Sequence, residues 1–331
     1  MTNSNKLKFI DLFAGIGGIR LGFEHIGAKC VFSCEIDKFA QQTYLANFND
    51  KPHEDIIKID IKNIPSFDIL CAGFPCQPFS NAGLKLGFED TRGTLFFHIA
   101  NILKYHKPKI VFLENVKGLK NHNKGKTYQI IHNTLREIGY NVYSKILNAK
   151  DFGIPQNRER IYIIGFLDNI DFSFPKINST PPKLKDILEE NISDKYTISD
   201  KLWSGHQRRK KEHLEKGNGF GYSIFNENSS YTSTISARYY KDGSEILIYQ
   251  TNKNPRKLSP REAARLQGFP DSFKIVVSDN QAYKQFGNSV CVPVIKALSQ
   301  QIYLYLEKKI IPTEFNLFNY QNYENRKLNN T

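Results

Sequence analysis

The stretch FIDLFAGIGGIRLGF, Phe9 to Phe23, decides the fold. It opens as a short apolar strand, turns at once through Gly15, Gly17 and Gly18, and leads into a helix N-terminus. Glycines at such a turn let a ligand approach the backbone. In the dinucleotide-binding form of this unit a third glycine follows, but Arg20 occupies that position here, which disfavours a nicotinamide cofactor. Glu35, at the end of the next apolar run, can accept the ribose hydroxyls of a nucleoside ligand, and Phe13 can offer an apolar face. A glycine-rich turn with no ligand is the plain alternative.

Outward from this unit, short apolar runs alternate with helical patterns as far as about Phe166. The runs are LKFIDLF, KCVFSCE, FDILCAGF, PKIVFLENV, VYSKILNA and RIYIIGF, separated by longer amphipathic segments such as Gly93 to Tyr105 and Lys126 to Ile138. This alternation predicts an α/β fold with a doubly wound, mostly parallel sheet. Ligands in such sheets bind at the carboxyl ends of the strands.

The chain has 331 residues and a formal charge of +13, which suits a polyanionic partner. No run of eighteen apolar residues occurs, so neither secretion nor membrane spanning is supported and a cytoplasmic location is expected. Cys30, Cys34, Cys71, Cys76 and Cys291 lie at no zinc-ligand spacing, and no metal is expected.

Reactive groups gather at the strand ends. Cys76 sits in GFPCQPFSNAG, Gly73 to Gly83, a run of turn-forming residues that gives a thiol no apolar burial. Glu114 and Asn115 close another strand, and Arg158 and Arg160 lie in PQNRERIYIIGF. Each has a dull explanation: a helix cap, a surface ion pair, an inert thiol. A nucleophile, a carboxyl and two guanidiniums at successive strand ends are harder to dismiss together.

DLFAGIGG, GFPCQPFS, ENVKGL, PQNRERIYIIGF, REAARLQGFP and QFGNSV occur in the order and approximate spacing of the bacterial DNA (cytosine-5) methyltransferases, which the chain resembles from about Lys6 to Leu306. The resemblance implies S-adenosylmethionine as donor and a cytosine flipped from double-stranded DNA as acceptor. It implies that Cys76 adds to C6 of the base, that Glu114 acts at N3 and Arg160 at O2, that Arg158 supports the cysteine loop and that Asn115 orients the pocket. A movable loop from about Cys76 to Gly93 would admit the extruded base. Phe13, Gly15, Gly17, Glu35, Asp55, Pro75, Leu95, Asn288 and Val290 would line the donor pocket, Asp55 being preferred to Asp60 by its distance from Cys76.

The expected domains are a catalytic and cofactor-binding part over 1–178, a target-recognition part over 179–265 and a return with a C-terminal tail over 266–331. KLWSGHQRRKKEHLEKGNGFGY is expected to be helical, YTSTISARYY and SEILIYQ to be strands, and Ser259, Pro260 and Glu262 to start a helix through a capping box. Arg208 and Arg209 suit phosphates, while Arg238 and Thr234, the latter in a Thr-apolar dipeptide, suit readout of the DNA site. The same basic run also reads as a solvated helix face. A monomer is expected, with a cognate restriction endonuclease as a separate partner. A transfer-RNA methyltransferase on the same motifs, a non-catalytic DNA-binding regulator and a dehydrogenase are the competing readings, disfavoured respectively by the lack of any segment of that branch, by the intact Pro-Cys-Gln and Glu-Asn-Val, and by Arg20.

Overall fold

The computed structural model describes residues 6–75, 95–176, 182–219 and 221–307. In chain order the elements are β1 (Lys8–Leu12), α1 (Gly18–Glu24), β2 (Lys29–Cys34), α2 (Lys38–Phe48), β3 (Ile69–Gly73), α3 (Leu95–His106), β4 (Ile110–Val116), α4 (Lys126–Ile138), β5 (Asn141–Asn148) and β6 (Glu159–Phe166). They continue with α5 (Asp200–Glu215), β7 (Ile224–Phe225), α6 (Tyr239–Asp242), β8 (Leu247–Ile248), α7 (Pro260–Arg265), α8 (Asp279–Asn288) and α9 (Val292–Leu306). The described residues fall into two compact units. One holds Met1–Leu147, Glu159–Phe174 and Val294–Ile310 within its bounds, the other Asn148–Arg158 and Pro175–Pro293.

All six apolar runs of the N-terminal half form strands of one sheet, ordered β2-β1-β3-β4-β6-β5. β1 pairs in parallel with β2 and β3, β3 with β4 in parallel, and β4 with β6 antiparallel. The α/β class and mostly parallel sheet read from the sequence are therefore observed. β1, β3 and β4 carry near-continuous apolar sequence because both their faces are covered, and their side chains from Ile10 to Leu113 form the core. The chain leaves β1 for β2 on one side and later returns to β3 on the other, so β1 and β3 flank the switch point at which such sheets bind ligands.

The turn after β1 is built from left-handed backbone at Phe13, Gly15 and Gly17. Gly17 is fixed twice, by a φ of +84° and by the Phe48 ring, whose Cε2 would lie 2.2 Å from any Cβ at that position. Arg20 explains its own place. Only 8% exposed, it donates from Nε to Glu24 Oε1 (2.7 Å) and from Nη1 to Asp50 Oδ2 (2.6 Å) and the Tyr44 hydroxyl (3.2 Å), and it lies over the Phe48 ring. It thus pins α1 to α2 where a dinucleotide-binding fold packs glycine.

The second unit is less regular. Its helix α5 follows an Ser199 cap that accepts from Leu202 N, and Ser259 and Glu262 close the predicted capping box with Pro260 in the first turn of α7. The strands expected of YTSTISARYY and SEILIYQ are nearly absent: Thr232 makes one isolated bridge to Gln156, Tyr239 begins α6, and β8 is two residues long. Thr232 and Ile235 are fully buried: the main chain of Thr232 pairs with Pro155 O and Asn157 N, whereas that of Ile235 is taken by the side chains of Gln156 and Arg158 in place of a ladder. The unit also takes in Asn148–Arg158 and continues to Pro293, past the boundary at 265 drawn from the sequence. Among the described residues no helix is long and apolar enough to cross a membrane.

Candidate active site

At the carboxyl ends of β1 and β2, Glu35 ties the glycine turn to its neighbour. One carboxyl oxygen accepts the Gly15 N–H and the other the Asp37 N–H, each at 2.7 Å. Burial raises the pKa of Glu35, and these backbone donors pull it back only in part. Each oxygen keeps a lone pair for a further donor such as a ribose hydroxyl. Around Gly15 nothing stands within 4 Å of where a Cβ would be, so the turn is open to a ligand.

Asp55 and Glu35 lie close enough to Cys34 for both charges to raise its thiol, after burial, to about 12. Asp55 is half-buried and caps a short 3₁₀ turn at Ile57 N, whereas Asp60 is exposed and caps the next at Lys62 N. Phe13 and Leu95 are partly buried against the core, and Pro75 is exposed. Ile36 was not singled out from the sequence. Directly after Glu35 and 70% exposed, it gives this edge a bare apolar side chain, and an apolar residue next to a strand-end acid is the signal that could have found it. These groups fit an adenosine-bearing donor: an acid for hydroxyls, an open glycine turn, apolar side chains for a base.

The chemical end lies on β4 and β6. Glu114 stands opposite Tyr162 and Val116 opposite Arg160, so Arg160 is the diagonal neighbour of Glu114 on one face of the antiparallel pair. Arg160 Nε approaches Glu114 Oε1 at 3.3 Å, and both side chains are largely buried. Asn115, 3% exposed, donates from Nδ2 to the Phe74 carbonyl at 2.8 Å, which fixes the backbone two residues before Cys76. Cys76 itself lies outside the described residues. The other four cysteines are buried free thiols, and burial lifts Cys30, Cys34 and Cys71 away from the thiolate form.

Arg158 belongs to the second unit. Its guanidinium donates from Nη1 to Ile235 O at 3.0 Å and from Nη2 to Gly287 O at 3.1 Å and Ser289 O at 2.6 Å. Asn288 is exposed and Val290 buried in the same unit. Gln156 and Gln267, neither of them singled out beforehand, are fully buried polar side chains that bond main-chain groups and each other.

The four residues expected to meet DNA differ from one another. Arg208 is 77% exposed beside Glu212, while Arg209 turns to Asp242 and His206. Arg238 is exposed at the start of α6, and Thr234 donates to Asn157 O at 2.6 Å.

Residues 7–304 match the family model for C-5 cytosine-specific DNA methylases. The Type II methyltransferase M1.ScrFI of Lactococcus lactis subsp. cremoris is 62% identical over 309 residues, covering 92% of this chain and 79% of that protein. The Type II methyltransferase M.NlaX of Neisseria lactamica is 63% identical over 299 residues, covering 89% and 96% respectively. Among solved structures, the S. pombe Dnmt2 methyltransferase shares the fold with a TM-score of 0.75 at 23% identity, covering 92% of this chain and 99% of its own. Enzymes of this family and fold take their methyl group from S-adenosylmethionine. The chain belongs to the C-5 cytosine-specific DNA methylases and is a DNA cytosine-5 methyltransferase of Type II kind.

Proposed function

We propose that the enzyme methylates one cytosine of a short duplex site through a covalent adduct at Cys76, with the base turned out of the helix, as the modification half of a restriction–modification pair. C5 of cytosine is a poor nucleophile. A thiolate adding at C6 forms a C–S bond and pushes the ring electrons toward N3 and O2, leaving C5 enamine-like. The Glu114 carboxyl delivers a proton to N3, and Arg160 balances charge at O2. S-adenosylmethionine, when bound, supplies the electrophilic methyl group. Loss of the C5 proton to a base then expels the thiolate and restores the C5–C6 double bond. C6 is shielded in the stack, so the nucleotide must leave the duplex first.

The observation that carries this proposal is the buried Glu114–Arg160 pair, with Asn115 holding the Phe74 carbonyl just ahead of Cys76. Glu35, Asp55, Phe13, Gly15, Gly17, Ile36, Pro75, Leu95, Asn288 and Val290 are the residues we assign to the donor. The restriction partner is supported by the Type II names of the relatives. Duplexes containing 5-fluorocytosine, from which the C5 proton equivalent cannot leave, should trap a stable adduct at Cys76 in the wild type and none in Cys76→Ser. Peptide mapping that finds no adduct on Cys76 would refute the covalent route. Bisulfite sequencing of DNA from cells expressing the protein identifies the site.

A further inference from the structure

We infer that Arg158 is a positioning residue that couples DNA engagement to donor binding. The inference rests on the donor role just proposed for Asn288 and on the DNA-facing roles expected from the sequence for Thr234 and Arg238. Arg158 is 2% exposed, and its fork grips two stretches about fifty residues apart. One prong holds Ile235 O, next to Thr234, and the other holds the carbonyls of Gly287 and Ser289, on either side of Asn288.

The two stretches also touch without it. A Cβ on Gly287 would lie 2.2 Å from Ser236 O and 2.5 Å from Ala237 N, so the end of α8 rests directly on the recognition backbone. Two more buried side chains complete the knot. Gln156 accepts the Ile235 N–H (3.0 Å) and donates to Leu266 O (2.8 Å), and Gln267 donates to Phe286 O (2.7 Å). With the main chain pinned on both sides, Asn288 alone of this turn presents an exposed side chain. Movement of residues 233–238 against DNA is therefore passed to 287–289 through the planar Arg158 guanidinium beside the backbone contact at Gly287. Lysine cannot replace it, because a point ammonium does not span carbonyls that a guanidinium fork bridges. Two sites joined by such a contact influence each other's affinity reciprocally.

The test measures affinity ratios. S-adenosylhomocysteine is titrated into the wild type and Arg158→Lys, each alone, with a short duplex that the wild type methylates, and with the same duplex altered at the pair beside the target cytosine. In the wild type the first duplex should tighten binding about 10-fold and the altered one should not. In Arg158→Lys the tightening should fall below about twofold. A merely structural loss lowers the fraction of competent protein and leaves the ratio intact, and an unchanged ratio in the variant overturns the proposal, as does absence of tightening in the wild type. Hydrogen exchange on the wild type keeps the test open should the variant not fold. S-adenosylhomocysteine alone should slow exchange both at 287–290 and at 233–238. Slowing confined to 287–290 overturns the coupling but leaves the donor assignment standing, whereas no slowing in either stretch overturns the assignment of Asn288 and the coupling with it.

Discussion

The two units satisfy their buried main chain in different ways. In the sheet unit the backbone is paired by ladders, and side chains are left to fill space and to project from strand ends. In the second unit long stretches have no ladder, and Gln156, Arg158, Gln267, Arg256 and Glu262 take the main-chain and polar groups that a sheet would otherwise pair. Buried polar side chains are accordingly structural in the second unit. In the first some are structural too, as at Arg20 and Asn115, but Glu114 stands at the chemical end and Asp11 has no well-formed hydrogen bond.

Two buried acids put this contrast to the sharpest test. Glu262, fully buried, accepts from Arg256 Nη1 at 2.7 Å and Nη2 at 2.8 Å, and from the N–H groups of Ser259 and Glu189, each at 2.9 Å. Glu262→Gln turns one acceptor into a donor facing other donors and leaves Arg256 without its charge partner. Breaking a buried pair of this kind costs about 3–5 kcal/mol. Thermal unfolding of the variant should show that loss, and a decrease under about 1 kcal/mol would mean the pair does not organise the unit.

Glu114→Gln should cost less in the same assay, because its contact with Arg160 is longer at 3.3 Å and less buried, and be severe in turnover. The amide keeps the shape of the side chain but has no carboxyl proton for N3. Turnover should fall by roughly 10²-fold or more, equivalent to ~2.7 kcal/mol of barrier. Normal turnover with reduced stability would move Glu114 into the structural class and erase the distinction between the units.

Asp11 should respond in the opposite direction to Glu262. It is fully buried on β1, and neither carboxyl oxygen has a well-formed hydrogen bond, the Tyr44 hydroxyl included. Burial drives its pKa well up; Arg20 opposes this, while Glu35 and Glu24 add to it. The folded state therefore holds a proton that the unfolded chain gives up at lower pH. Stability falls as pH rises from the unfolded pKa to the folded one and is flat beyond. Asp11→Asn lacks this dependence, so its stability relative to wild type should improve from acid toward neutral pH. An Asn variant that loses stability most at neutral pH would show that the carboxylate is charged and supported.

The same contrast explains what could be read in the sequence. Ladder-built structure has local period, so six apolar runs named six strands and the glycine turn after β1 named the ligand edge. The capping box at Ser259 is equally local, spanning three residues. Side-chain-built structure has no period. Thr232 and Ile235 looked like strand residues because β-branched side chains are buried there, but the groups that hold them, Pro155 to Arg158, lie 77 to 79 residues away. Arg158 was grouped with Arg160 because the two share a strand-like run, although the bonds described above take it into the other unit. Arg20 was visible only as a missing glycine, since Tyr44 and Asp50 are 24 and 30 residues distant.

The smallest predicted effect divides two adjacent arginines by the same criterion. Arg208 and Arg209 are indistinguishable in the sequence run RRKK, yet Arg208 projects from α5 with only an exposed contact to Glu212 at 3.6 Å. Arg209 donates to His206 Nδ1 at 2.8 Å and pairs with Asp242 at 3.3 Å, and burial lowers the His206 pKa so that its ring is a neutral acceptor at pH 7. If Arg208 contacts a phosphate, Arg208→Ala removes one counterion-releasing charge. The slope of log K against log salt should then flatten by about 0.9, equally for every duplex, with no change in site choice or melting temperature. Arg209→Ala should leave most of that slope in place and lower thermal stability by about 0.5–1 kcal/mol, as expected for a half-exposed pair and one hydrogen bond. Equal flattening by both variants, with equal stability, would show that Arg209 leaves Asp242 to meet DNA and that position on the helix does not separate structural from binding charges here.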